Sequence, residues 1–240
     1  MIYISKLDSL RFGITIARAK IDFVEDLFEI EKFSLANNVE MLIARCNTGN
    51  LKAVQKMEAE KYRLMDTLIY YKGNLINNPI PDEINKIYIR RIKSGEEKAV
   101  AKVGEEAFRD YQGHYHADER LPRKECDEAY VSWAYNSCIS KEFADEVLVA
   151  EMGKKIVGFQ TLRLNNPRES ETKLSCVSPD FQKKGIYREL KIHAMHWCLR
   201  KGAEWIMMST QITNTAVQRV WVRLGFMPSH SYYTFHKWFI

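Results

Sequence analysis

Residues 174–190 read LSCVSPDFQKKGIYREL, and this stretch decides the fold. Leu174, Cys176 and Val177 are the apolar residues of a short strand, and Ser178-Pro179-Asp180 stops it. Gln182-Lys183-Lys184-Gly185-Ile186-Tyr187 then runs into an amphipathic helix, GIYRELKIHAMHWCLRKG. In that helix Ile186, Leu190, Ala194, Trp197 and Cys198 recur at helical spacing. A glycine at the first turn lets backbone come close to a ligand. The free N–H groups and positive dipole end of a helix lie at the same point. With Lys183 and Lys184 beside them they form an anion site suited to a pyrophosphate. A solvated basic turn before a surface helix would have the same local sequence.

The segment that follows narrows the choice. Residues 205–210, WIMMST, read as a second buried strand, and Asn214 opens a short helix, NTAVQRVWVRL, closed by Gly225-Phe226. Three pieces now stand in order. They are Val177-Ser178-Pro179 at a strand end, Gln182-x-x-Gly185 at a turn, and Asn214-x-x-Val217-x-x-x-Trp221-x-x-x-Gly225-Phe226 in a helix. Their order and spacing resemble the GNAT superfamily of acetyl-CoA-dependent N-acyltransferases, over residues 86–240.

The resemblance implies a central mixed, splayed sheet flanked by helices. It implies acetyl-CoA as co-substrate and no metal. The pyrophosphate is expected on Gln182, Lys183, Lys184, Gly185, Ile186 and Tyr187. The pantetheine arm is expected along Cys176 and Val177, with Asn214 and Trp221 beside it and the Val177 N–H facing the thioester oxygen. Two positions depart from the family pattern. Tyr187 stands where glycine or alanine is usual, and Trp221 stands where many members carry a tyrosine that protonates the leaving sulfur. Indole N–H donates hydrogen bonds but is not a practical acid. Another hydroxyl (Tyr187, Tyr232 or Tyr233) or unassisted departure of the thiolate remains open at that step.

Amine acetylation also needs a base, because an ammonium has no lone pair. Between the first two helices of this half runs Tyr111-Gln-Gly-His-Tyr-His-Ala-Asp-Glu-Arg120, polar, aromatic and poor in core residues. His116, with His114 behind it, is the expected base, since histidine titrates near neutrality. Asp118, Glu119, Glu169 and Glu171 are the other proton acceptors in the region. Tyr115, His116, Asp118 and Arg120 are expected to touch the acceptor. His114-x-His116 and His193-x-x-His196 lack further ligands at metal-site spacing.

Composition fits this reading. A chain of 240 residues, 46% hydrophobic, can bury a substantial core. Its net charge of +5 suits acidic ligands and falls short of a dedicated nucleic-acid binder. Five dispersed cysteines without a CxxC pair point to reduced thiols and a cytoplasmic protein. No 18-residue apolar run and no signal-peptide core are present.

Residues 1–78 read as a small α/β unit. Strands are expected at 2–4 and 14–19 around a turn at Asp8–Gly13. A helix over 21–36 follows, with Phe23, Leu27, Ile30, Phe33 and Ser34 on one face, then a strand at 39–44, a helix at 50–61 and a strand at 64–71. Asn77-Asn78-Pro79-Ile80-Pro81 punctuates a linker over 79–85. In the second half a strand is expected at 86–92, a helix capped by Ser94 through Asp110, a helix from Pro122 to Cys138, and a hairpin at 146–152 and 155–164. A strand at 172–177 and a closing strand at 231–239 complete it. The Asp8-Ser9-x-x-Phe12-Gly13 opening, a small α/β unit and then a GNAT unit is similar to the TDP-fucosamine acetyltransferase group. That implies a dTDP-linked amino-6-deoxysugar acceptor for surface polysaccharide such as O-antigen, with a homodimer by analogy. A different small amine, an amino acid or a protein N-terminus, and a non-catalytic CoA-binding module, are the alternatives.

Overall fold

The computed structural model describes residues 1–83 and 87–239. The expected strand start at Lys86, residues 84–85 of the expected linker and Ile240 lie outside these residues. The chain builds β1 (Ile2–Ile4), α1 (Lys6–Phe12), β2 (Ile16–Ile21), α2 (Asp26–Ala36), β3 (Met41–Asn47), α3 (Leu51–Ala59) and β4 (Arg63–Asn74). Then come β5 (Tyr88–Arg91), α4 (Glu97–Phe108), α5 (Arg123–Ile139), β6 (Glu146–Met152), β7 (Lys155–Asn166), β8 (Glu169–Thr172) and β9 (Ser175–Val177). After a single 3-10 turn at Pro179–Phe181, α6 (Ile186–Arg200), β10 (Trp205–Gln211), α7 (Thr215–Arg223) and β11 (Met227–Trp238) complete it.

One mixed sheet runs in the order β1-β2-β3-β11-β4-β10-β8-β7-β6-β5, with β9 paired to β7. The two sequence halves exchange strands. β4 lies between β10 and β11, and β11 lies between β3 and β4, antiparallel to both. Helix α6 covers one face of the second half, where Leu190, Ile192, Ala194 and Cys198 are fully buried. Burial of the Leu190 and Ile192 side chains contributes about 1.5–3 kcal/mol each relative to exposure. α4 and α5 cover the opposite face, with Val100, Val103 and Ala134 packed on Phe159.

Several elements differ from the sequence reading. The expected turn at Asp8–Gly13 is helix α1: Ser5 and Asp8 bond at its start, and Gly13, at φ 69°, sends its N–H back to Ser9 O. α2 begins at Asp26, because the Asp26 carboxylate accepts the N–H groups of Asp22 and Phe23, which leaves Phe23 67% exposed rather than on the buried face. Ser94 does not cap α4. Glu96 does its local work, accepting from Lys93 N–H at 2.8 Å and pairing with Arg90 at 2.7 Å. The expected strand at 172–177 is two strands, β8 and β9, broken at Lys173-Leu174, where Leu174 N–H turns to Thr161 Oγ1 at 3.0 Å.

That break positions the site. β8 runs parallel to β10 from Glu169↔Trp205 to Thr172↔Met208, whereas β9 pairs only with β7. The two parallel strands therefore part after Thr172 and leave a wedge.

Candidate active site

The edge of the wedge follows from strand geometry. Ser178 N–H goes to Val157 O and Leu174 O accepts from Thr161 N–H, both 2.8 Å, so the even-numbered residues face β7. Alternation then turns the backbone N–H groups of Ser175 and Val177 into the gap beside β10. Gln182 reaches the same edge, its Nε2 donating to Val177 O at 3.1 Å. Cys176 does not belong to the open edge: its backbone pairs with Phe159 of β7, and its side chain is buried on the other face with Sγ toward Val103 O.

At the mouth of the wedge Lys183 (φ 61°) and Gly185 (φ 84°) both take left-handed backbone, and α6 starts at Ile186. This turn aims the first-turn N–H groups of α6 outward. Lys184 Nζ donates to Asp180 O at 3.0 Å and lies over the Phe181 ring. Ile186 is buried and anchors the helix start.

A cavity of about 500 Å³ runs inward from the wedge to the N-terminal half. On the wedge side it is lined by Thr172, Ser175, Tyr187, Asn214 and Trp221. Asn214 caps α7 by accepting from Val217 N–H and donates to Thr210 Oγ1 at 3.0 Å. Trp221, buried between the layers, donates from Nε1 to the Tyr187 hydroxyl at 3.2 Å. On the far side lie Asp8, Arg18, Arg45, His114 and Tyr115. Asp8 accepts from Arg18 Nε at 2.6 Å and from the Tyr115 hydroxyl at 2.7 Å. Burial pushes the Asp8 carboxyl up, but Arg18 together with hydrogen bonds from Ser5 and Tyr115 outweighs it and holds the group below its usual range.

His114 forms the end of a buried chain. Asp118 Oδ2 lies 2.8 Å from His236 Nδ1, and His236 Nε2 lies 3.0 Å from His114 Nδ1. With Asp118 ionised, His236 carries its proton on Nδ1 and presents a lone pair on Nε2. His114 then donates from Nδ1, which leaves its Nε2 lone pair as a proton acceptor. Burial opposes ionisation of Asp118, yet hydrogen bonds from His236 and Trp238 bring its pKa to about 2. His114 is held neutral by burial first and then by His236, Arg18 and Arg45.

His116 does not reach the cavity. Its Nδ1 accepts from Gly113 N–H at 3.1 Å and its Nε2 meets Asp127 Oδ1 at 3.0 Å, so both nitrogens hold the loop. Burial lowers its pKa, offset in part by Asp127. Arg120 lies over Trp238, and Glu119 pairs with Arg63 at the surface. Glu169, Glu171 and Tyr232 line a second hollow, and Tyr233 packs on Phe235. His193 and His196 face Glu83, and among the described residues no group of three such side chains is placed to hold a metal ion.

Residues 105–226 match the family model described as Acetyltransferase (GNAT) family. The chain belongs to the GNAT acetyltransferase family. The family is one of acetyltransferases, and its fold implies acetyl-CoA as co-substrate. The chain is 24% identical over 144 residues to the spore coat polysaccharide biosynthesis protein SpsD of Bacillus subtilis (strain 168). That match covers 60% of this chain and 48% of SpsD, so the chain spans about half the length of that relative. A GCN5-related N-acetyltransferase from Sphaerobacter thermophilus superposes with TM-score 0.67 at 16% identity, covering 99% of this GNAT chain and 76% of its own. A GCN5-related N-acetyltransferase from Kribbella flavida gives 0.63 at 13% identity, over 93% and 81%. Both likenesses extend the fold to the N-terminal half of this GNAT protein.

Sequence reading missed Asp8, Arg18, Arg45, Ser175, Lys191 and His236. Lys191 had a signal: it stands one turn after Tyr187 on the apolar stripe of α6, where a charge is out of place.

Proposed function

We propose that this protein transfers the acetyl group of acetyl-CoA to the amino group of a dTDP-linked amino-6-deoxysugar, in a ternary complex, for surface polysaccharide synthesis. The observation that carries the reading is the continuity of the wedge with the hollow beyond Arg18 and Arg45. That second hollow, about 410 Å³, shares Tyr3, Arg18 and Arg45 with the first and adds Lys20, Tyr70, His230 and Tyr232. Arginine forks suit a diphosphate and aromatic faces suit a base. The buried Arg45 Nε has no partner among the described residues. The name of SpsD, a polysaccharide biosynthesis protein, supports the same substrate class.

In this reading residues 1–78 complete the acceptor cleft and 86–240 form the GNAT unit. The turn from Gln182 to Tyr187 binds the pyrophosphate, and the Ser175 and Val177 edge holds the pantetheine arm with Asn214 beside it. Acetyl-CoA supplies an acetyl group activated as a thioester. The Val177 N–H stabilises charge developing on the carbonyl oxygen. His114 Nε2 takes the proton of the incoming ammonium, and the Asp118 carboxylate, acting through the tautomer it imposes on His236, favours the imidazolium that results. Tyr115 and Arg18, fixed on Asp8, orient the acceptor. His116 and Arg120 serve by holding the loop that carries His114. The five free cysteines fit a cytoplasmic location, and among the described residues no helix is long and apolar enough to cross a membrane. A homodimer belongs to the proposal by analogy, with light scattering as its check.

Glu169 and Glu171 in the second hollow favour a second reading, a small amine bearing an additional positive charge. Free-thiol release from acetyl-CoA across dTDP-3-amino and dTDP-4-amino sugars, polyamines, amino acids and peptide N-termini separates the two. Saturable release with a dTDP-amino sugar supports the first. Release with polyamines alone overturns it.

A further inference from the structure

Lys191 is fully buried, 0% exposed, in the middle of α6, and among the described residues its hydrogen bonds go to hydroxyls and not to a carboxylate. An ammonium in such a place is costly unless it has work to do. Its Nζ donates to Ser175 Oγ at 2.8 Å and to Thr172 Oγ1 at 3.3 Å, and lies 4.8 Å from the centre of the Tyr187 ring. The Ser175 hydroxyl neighbours the Tyr187 hydroxyl and favours its ionised form. The Trp221 indole N–H enters that hydroxyl from the other side. An indole N–H can only donate, so it occupies an oxygen lone pair and leaves the Tyr187 proton free to point elsewhere. Ser175, Tyr187 and Trp221 all line the cavity at the wedge where the backbone edge is open.

We propose that Lys191, Ser175 and Tyr187 form a proton-supply chain for the sulfur that leaves the acetyl group, with Trp221 orienting its last member. The proposal rests on the reading of the wedge as the acetyl-CoA site. Tyr187 O–H gives its proton to the departing thiolate, so the S–H bond forms as the O–H bond breaks. The phenolate is refilled from the Ser175 hydroxyl, and Ser175 from the Lys191 ammonium, which becomes a neutral amine. Lys191 regains its proton from water between turnovers. Tyr187 is the group that touches the sulfur. Ser175, Lys191 and Trp221 act through it.

The surroundings suit each role. Burial pushes the Tyr187 hydroxyl up, so it stays protonated over the working range. Burial brings Lys191 down to about 7, where it gives and regains a proton with little penalty. The titratable groups facing Lys191 are Tyr187 and Cys198 on α6 and Cys176 on β9. Burial raises both thiols, Cys198 to about 12, so neither competes for the proton. A purely structural lysine bridging Thr172 and Ser175 would make the same bonds but would not couple to the sulfur.

The test titrates the thiol of CoA bound to the protein by its ultraviolet thiolate absorbance, with no turnover. In the wild type the Tyr187 hydroxyl donates to the thiolate, so the bound thiol titrates below its ordinary value of about 8.5. In Tyr187→Phe that shift disappears. In parallel, Tyr187→Phe lowers kcat about 10- to 100-fold at saturating amine, with the KM for acetyl-CoA nearly unchanged. Lys191→Met removes the loss of kcat as pH rises through about 7. Ser175→Ala, which breaks the chain at its middle with one hydroxyl deleted, does the same if Lys191→Met misfolds. Bound CoA with the same thiol titration in wild type and Tyr187→Phe overturns the proposal and leaves the site reading intact. Absence of CoA binding to the wild type by calorimetry overturns both.

Discussion

His114 Nδ1 and His236 Nε2 stand 3.0 Å apart inside the protein, 122 residues apart in sequence. Because His236 is tied to Asp118 at 2.8 Å, the pair has a defined direction, and the proton-accepting nitrogen is the outer one of His114. Replacing His114 by Ala is expected to lower kcat by about 100-fold or more while acetyl-CoA affinity is kept. Asp118→Asn removes the anion that stabilises imidazolium. It should lower kcat less and move the acid limb of the profile further down. His114 works as the neutral base, so the acid limb of activity falls as pH drops through its pKa. That limb lies below the ordinary histidine value of about 6.5, since burial depresses it. Initial rates from pH 5 to 9 check both points.

Lys191 also ties stability to pH. Its folded pKa of about 7 lies below the value of about 10.5 expected when unfolded. The unfolded chain therefore binds more protons between these values, and the stability of the folded state rises with pH across that window. Lys191→Met removes the dependence. The variant should melt several degrees above the wild type at pH 6, with the gap closing toward pH 10. Calorimetric melting scans at four pH values read this directly.

The Asp8–Arg18 pair is a buried contact on the acceptor side, with Asp8 only 2% exposed at its side chain. Asp8→Asn leaves Arg18 without its counter-charge and is expected to cost about 3 kcal/mol. The pair's contribution is present above the usual carboxylate range and is lost as pH falls through the lowered Asp8 pKa. Arg18→Lys, a milder change, should raise the KM for the acceptor about tenfold with little effect on acetyl-CoA, because a bidentate fork is replaced by a point charge. Urea melts and two-substrate kinetics separate these effects.

Gly185 sits at φ 84°, a conformation that costs a residue bearing Cβ about 1–2 kcal/mol. Gly185→Ala is expected to weaken CoA binding about tenfold, with a smaller loss of thermal stability. Equal affinity of the variant and the wild type in calorimetric titration would remove this turn from the pyrophosphate site.

What could be read from sequence alone was what is local in sequence. The Val177-Ser-Pro179 strand end, the Gly185 turn and the Asn214 helix each lie within a dozen residues, and their backbone geometry follows from their own residue types. The contacts that build the acceptor side join Arg18 to Tyr115 and His114 to His236 across 97 and 122 residues of sequence. No periodicity or spacing signals such pairs. His114 and His116 looked alike in their loop, and only Gly113 and Asp127 reveal that His116 is fully bonded. The exchange of β4 and β11 was equally silent, since each reads as an ordinary strand and the partner is set by the whole sheet. Helix α1 was hidden for a different reason: Asp8, Ser9 and Gly13 are turn-forming residues that here start and close one short helix.

The central claim is that one cavity brings an acetyl thioester on the Ser175–Val177 edge to an amine beside His114. Free-thiol release from acetyl-CoA with a dTDP-amino-6-deoxysugar, measured for the wild type and His114→Ala at equal acetyl-CoA occupancy, tests it most directly. The account expects saturable release by the wild type and a loss of about 100-fold in the variant. No release by the wild type, or equal release by both, would contradict it.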